Sequence, residues 1–358
     1  MGWQYVRDLL KGGKMKDKKM KIGFAGNLYF TPKGHSYVND LLVRTVLEAG
    51  HEAHMYRILD NAVIEEFTHP TSLTTCPDQI IPKEDFEKWL DEVKPEVCVF
   101  TEYAQWWEED HDKLQICKDR GIKTLGFVVL EKLDIDKVEH YKLYTHIMCP
   151  TMHQRTVMRK MGCYNATYVP WGDFDSNYEN IIESKYQTGK TTFLHIAGSG
   201  GVDDRKNTNA IIEAYKEVHD STTDLKITHL NAKAFSKEEI LSFMKAADVV
   251  VNTSKWDTIG LCTIEANKMG VPVIVADGAP MNELVLNNYN GLTVESEIST
   301  SKYVSCPVFN TKHDALVKAF NMCKNPDILG FLKMSAKKFA EKNFDWDKNK
   351  KAFLECLT

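Results

Sequence analysis

The chain of 358 residues contains no uninterrupted apolar run of about 18 residues, so nothing in it reads as a membrane-spanning helix. It has no excess of positive charge. The net charge of −5 gives no reason to expect nucleic acid as a partner. No C-x-x-C spacing occurs among its nine cysteines, several of which sit in apolar runs such as VCVF (97–100). That pattern reads as reduced, buried thiols in a cytoplasmic protein, and argues against a disulfide frame or a zinc site. The phosphate-binding fingerprints are missing as well. AGSGG (197–201) supplies Gly198 and Gly200 but has Asp203 at the third glycine position, GFAG (23–26) also fails, and there is no Walker A sequence. Hydride-transfer enzymes and P-loop NTPases therefore fall behind.

The first twenty residues, MGWQYVRDLLKGGKMKDKKM, lack a signal-peptide core, and Val6 breaks the myristoylation pattern. Residues 1–19 read as a solvated extension. Their Lys-rich half would also suit peripheral contact with an anionic membrane surface.

What the sequence does have is an alternation of strand and helix patterns. Hydrophobic content of 43% and charged content of 27% are those of a globular protein, and the length suggests two domains. A first unit runs from KIGFAGN (21–27) to ATYVPWG (166–172), and a polar, aperiodic stretch follows. The alternation restarts at TTFLHIAG (191–198). This predicts an α/β chain with two Rossmann-like parallel-sheet domains facing a cleft, over 20–175 and 191–338, joined by a linker at 176–190. Residues 339–358 form a closing segment. Ligands of such sheets sit beyond the carboxyl ends of the strands, so function is read from the loops there.

One loop stands out: SKWDTIGLCTIEANKMGVPVIVADG (254–278). Asp257 and Thr258 end the loop after DVVVNTS, with Ile259 next and a helix starting near Gly260. The amide groups of Gly260, Leu261 and Cys262, with the helix dipole, make a site for a phosphate or diphosphate. Gly260 would let a ligand approach the backbone. Cys262, Ala266 and Met269 form the apolar stripe, and Glu265 lies about 60° from it at about 100° per residue. A carboxylate there needs donors, and ribose hydroxyls are suitable ones. Asp257 would accept from a sugar on the other side of the diphosphate. The alternative for each acid is a helix cap without ligand. His195, ending a strand, reads as a structural histidine.

DTIGLCTIE (257–265) followed by ANKMGVPVI (266–274) resembles the E-x7-E and A-x-x-x-G-x-P-V-I signature of the retaining glycosyltransferases of family 4, which have the GT-B fold. Pro280, Glu283, Leu284, Val285 and NGLTV (290–294) match the loop and strand downstream. DRKNTNAIIEAYKEV (204–218), AADVVVNTS (246–254) and FDWDKNKKAFLECL (344–357) also resemble segments of that family. The chain is also similar, in its divergent motifs and compact length, to glycosyltransferases of large algal viruses. The resemblance implies a hexosyltransferase using a nucleotide-sugar donor, GDP-mannose on the family's commonest usage or a UDP-sugar, without cofactor or metal. It implies a glycan or glycoprotein acceptor and a last helix that crosses back to the N-terminal domain. It gives Glu265 the ribose, Asp257 the sugar hydroxyls, Lys206 the diphosphate, and Gly34 the approach from the other domain. A homodimer stays open.

Three departures accompany the resemblance. Asp257 replaces the usual Glu; Gly200 and Gly201 stand where the family has Arg, with Arg205 the substitute; and Leu130 and Glu131 stand where it has His. Glu131 is then the candidate for sugar contact. Tyr103, Trp106 and Trp107 in TEYAQWWEED are candidates for stacking on an acceptor sugar. Three D-x-D matches (134–136, 173–175, 345–347) lack the strand context of a metal–diphosphate site. The rival functions are a nucleotide-sugar epimerase of the same fold and a non-catalytic nucleotide-sugar-binding protein.

Overall fold

The computed structural model describes residues 18–30, 34–58, 67–78, 80–101, 111–172, 178–184, 186, 189–198, 202–228 and 235–358. Tyr103, Trp106, Trp107, Gly200, Gly201 and the D-x-D match at 173–175 lie outside them, as does most of the N-terminal extension.

The N-terminal half runs β1 (Lys21–Leu28), α1 (Gly34–Glu48), β2 (Glu52–Ile58), β3 (Ser72–Cys76), α2 (Lys83–Val93), β4 (Val97–Thr101), α3 (His111–Asp119), β5 (Lys123–Phe127), α4 (Val138–Tyr141), β6 (His146–Cys149), α5 (Met152–Lys160) and β7 (Ala166–Tyr168). Its strands form one parallel sheet in the order β3-β2-β1-β4-β5-β6-β7. The C-terminal half runs β8 (Thr191–Ile196), α6 (Thr208–Val218), β9 (Thr223–Thr228), α7 (Lys237–Ala246), β10 (Val249–Asn252), α8 (Leu261–Lys268), β11 (Val273–Ala276), α9 (Met281–Leu284) and β12 (Gly291–Val294). These strands order β12-β11-β10-β8-β9, again all parallel. A hairpin, β13 (Ser296–Ser301) and β14 (Val304–Thr311), and the helices α10 (His313–Cys323), α11 (Pro326–Asn343) and α12 (Trp346–Glu355) complete the chain.

The central strands β4, β10 and β11 are buried along their whole length, because helices cover both faces of each sheet. In each sheet the strand order reverses at one place, between β1 and β4 in the first and between β8 and β10 in the second. The crevice at such a switch point is where open α/β sheets take ligands.

Helix boundaries follow local chemistry. Ser236 and Glu239 close a capping box on α7, and Asn325 caps α11 with Pro326 behind it. Asp134 accepts from the Asp136 amide and Asp345 from the Lys348 amide, so the two described D-x-D matches are helix caps.

The halves are joined through apolar contact. α12 lies on the N-terminal half: Trp346 Nε1 donates to Thr45 Oγ1 at 2.8 Å, and its ring sits 5.2 Å from that of Trp171. The connecting segment is tied down too, since Lys245 Nζ donates to the carbonyls of Tyr178, Glu179 and Ile181. On the opposite side, Cys306 and Val308 of β14 bury themselves in the N-terminal core beside Leu130 and Leu133.

Candidate functional site

The loops after the strands at both switch points face one another across a cavity of about 330 Å³. That is a size suited to a small molecule. The N-terminal half contributes Gly34, His35 and Val38 from the start of α1, and Phe127, Val129 and Glu131 from the end of β5. The C-terminal half contributes Arg205 and Lys206, which follow β8, and the loop after β10 with the first turn of α8.

Asp257 is the centre of this arrangement. Its Oδ1 accepts from the amides of Thr258, Ile259 and Gly260 at 2.8, 3.3 and 3.1 Å. Its Oδ2 lies 3.6 Å from both Arg205 Nη1 and Lys206 Nζ. Burial pushes the carboxyl up, but Lys206, Arg205 and the amides of Gly260 and Thr258 outweigh it and hold it below the ordinary aspartate range. The cap reading thus holds for one of its two oxygens. One oxygen fixes the loop, and the other faces the cations.

This geometry corrects two expectations. The Gly260 amide is engaged by Asp257, so the amide groups left at the helix start are those of Leu261 and Cys262, which line the cavity. Gly260 is glycine for structural reasons: its φ is 73°, and an added Cβ would lie 2.6 Å from Met281 and 2.7 Å from Leu284. The predicted stripe also differs. Thr263, Ile264, Glu265, Ala266 and Asn267 are all buried, because α8 is covered by neighbours on several sides, while Cys262 and Met269 are only half-buried. Burial raises the Cys262 thiol, so it enters the cavity as a neutral group.

The two cations are aimed by an unusual turn. Asp203, Asp204 and Asn207 all have left-handed backbone, with φ of 57°, 47° and 60°. The turn is held by Asp204, which accepts from the Thr208 and Asn209 amides, and by Asn207 donating to Thr311 of the hairpin. Lys206 Nζ also donates to Ser254 Oγ at 3.3 Å.

Glu131 lines the cavity and accepts from the Thr258 hydroxyl, while the Leu130 amide donates to that hydroxyl at 3.2 Å. It lies on a short 3-10 turn, Leu130–Lys132, beyond the end of β5 at Phe127. Gly34 stands at the mouth with open space where a Cβ would be. Glu265 does not line the cavity. It is 2% exposed and paired with Lys237, a partner 28 residues away that no motif announces. His195 is a satisfied core histidine, with Nδ1 2.9 Å from the Val251 carbonyl and Nε2 2.9 Å from Thr208 Oγ1. Among the described residues no cluster of three His, Cys, Asp or Glu could hold a metal ion, and no helix is long and apolar enough to cross a membrane.

The fold is that of the GT-B glycosyltransferases, two Rossmann-like domains around a cleft. The chain superposes on the sucrose-phosphate synthase of Thermosynechococcus elongatus with a TM-score of 0.70 at 14% identity, covering 94% of this chain and 97% of that one. It superposes on HepE of Anabaena, solved in complex with UDP and glucose, with a TM-score of 0.69 at 14% identity, covering 94% and 99%. Residues 176–304 match the family model of the glycosyl transferases group 1. A 137-residue segment is 26% identical to an uncharacterized glycosyltransferase of Methanocaldococcus jannaschii. That segment spans 37% of this chain and 34% of the relative, so the chain matches about a third of the relative's length. The chain thus joins a GT-B fold to a segment, residues 176–304, that resembles the glycosyl transferases group 1.

Proposed function

We propose that the chain is a retaining glycosyltransferase of the family 4 kind, moving a hexose from a nucleoside diphosphate sugar to a glycan hydroxyl. The observation that carries this reading is the convergence of Arg205, Lys206 and the free amide groups of α8 on one cavity at the switch points of both sheets. A diphosphate there would rest on the Leu261 and Cys262 amides, with the two cations on its oxygens. In the transfer, the acceptor oxygen bonds to the anomeric carbon on the face from which the diphosphate leaves. The carbon–oxygen bond to phosphate breaks, its electron pair stays on the phosphate oxygen, and that oxygen takes the acceptor proton. Negative charge grows on the leaving group, and Lys206 and Arg205 stabilise it. Asp257 would contact the sugar hydroxyls and Glu265 the ribose. Glu131 stands close enough to Thr258 to help shape the sugar site.

GDP-mannose is the first donor to try and UDP-glucose the second, HepE having been solved with UDP-glucose. The buried free thiols suit action in the cytoplasm. A second reading, nucleotide-sugar binding without transfer, is favoured by the contacts Asp257 already makes within the chain, amides on Oδ1 and cations near Oδ2. The test is release of nucleoside diphosphate from GDP-mannose or UDP-glucose, with and without EDTA, alongside Lys206→Met. Turnover that survives EDTA and falls by roughly 100-fold or more in the variant supports transfer. Calorimetric binding of donor without any turnover, across a panel of glycan acceptors, would establish the binding protein instead.

A further inference from the structure

Glu265 is almost fully buried, at 2% exposure, and a carboxylate so placed is strongly unfavourable unless a cation accompanies it. Lys237, the first residue of α7, supplies that cation by donating from Nζ to Glu265 Oε1. The same ammonium lies 5.1 Å from the centroid of the Tyr37 ring on α1, close enough for a cation–π contact. One lysine therefore touches the buried acid of the C-terminal half and an aromatic ring of the N-terminal half. A carboxylate has two oxygens, and holding Oε1 fixes the direction of Oε2.

We propose that Lys237 is the positioning residue for ribose recognition. It holds Glu265 turned so that Oε2 accepts from the vicinal hydroxyls of the donor's ribose, and its seat on Tyr37 ties that orientation to the meeting of the two halves. This rests on the nucleotide-sugar reading given above. Lys237 itself needs no contact with the ligand. Its effect is on which nucleotide is accepted, because a misdirected Glu265 can no longer tell a ribose from a deoxyribose.

The experiment is calorimetric titration of the full chain with UDP and GDP and with their 2′-deoxy counterparts. The wild type is expected to bind the ribonucleotide at least tenfold more tightly than the deoxynucleotide. In Lys237→Met that ratio should fall to about twofold, and in Lys237→Arg, which retains the charge, most of it should return. A lysine that only stabilised the fold would change both affinities together and leave the ratio alone. Should Lys237→Met fail to fold, Lys237→Gln, shorter by one bond and without a charge to seat on Tyr37, takes its place, and its ratio should fall at least threefold. Wild-type discrimination in either neutral variant would overturn the proposal. A wild type that binds both sugars equally would overturn it too, with nucleotide binding intact. A wild type that binds no nucleotide would overturn the functional reading and this inference with it.

Discussion

Asp257→Asn separates the two directions in which this side chain works. Asn keeps an oxygen where Oδ1 now accepts from the Thr258, Ile259 and Gly260 amides, so the loop should hold its shape. What disappears is the negative charge 3.6 Å from Arg205 and Lys206. A diphosphate resting on those cations would lie roughly 7 Å from the carboxylate. At that distance, with an effective dielectric of about 20 to 80, one unit charge is worth about 0.6–2.4 kcal/mol. Removing the repulsion should tighten UDP or GDP binding by roughly 3- to 60-fold. Transfer should move the other way. The donor sugar loses a charged acceptor worth about 1.5–3 kcal/mol, so turnover should fall by roughly 10- to 150-fold. Calorimetry on the nucleoside diphosphate and initial rates on the donor sugar read the two effects separately. Weaker diphosphate binding, or transfer at the wild-type rate, would refute the placement of phosphate and sugar on opposite sides of Asp257. The depressed acidity adds a check on stability. A group whose folded value lies below its ordinary 3.8 contributes fully above that value and loses its contribution as pH falls through the folded one. The stability difference between wild type and variant should therefore be constant above about pH 5 and shrink below about pH 4.

Two glycines test the cavity from either side. Gly34 has open space where a Cβ would point, so Gly34→Val should change unfolding free energy by no more than about 0.5 kcal/mol. Because it stands at the cavity mouth, the same variant should weaken donor binding at least tenfold by calorimetry. Gly260→Ala should do the reverse. A left-handed φ of 73° and overlap with Met281 and Leu284 should together cost about 2–5 kcal/mol in urea unfolding.

Both sheets could be anticipated because buried parallel strands advertise themselves. VCVF and DVVVN are apolar throughout, and each is bounded by turn or helix signals. Three strands are not legible: β3 reads SLTTC and is largely exposed, β13 reads SEISTS at the surface, and β14 reads VSCPVFNT, with a proline inside it and only Cys306 and Val308 buried. Their partners hold them there, and their own composition does not. The same limit applies in the site. The acid before α8 is legible as either cap or ligand, and only the positions of Arg205 and Lys206 show that its second oxygen faces two cations. Lys237 carried no local signal, since its meaning comes from Glu265, 28 residues on, and from Tyr37 in the other half. Asp134 and Asp345 show the reverse case, a short acidic motif that begins a turn of helix.

The crossing of α12 has a consequence for how the molecule is made. Trp346 fills a place between Thr45 and Trp171, and a Cβ on Gly172 would strike the Trp346 backbone at 2.6 Å. Translation therefore exposes an apolar gap in the earlier domain until the tail has left the ribosome. During that interval the nascent chain has a surface that chaperones can bind, and a fragment cut ahead of Trp346 would carry it permanently.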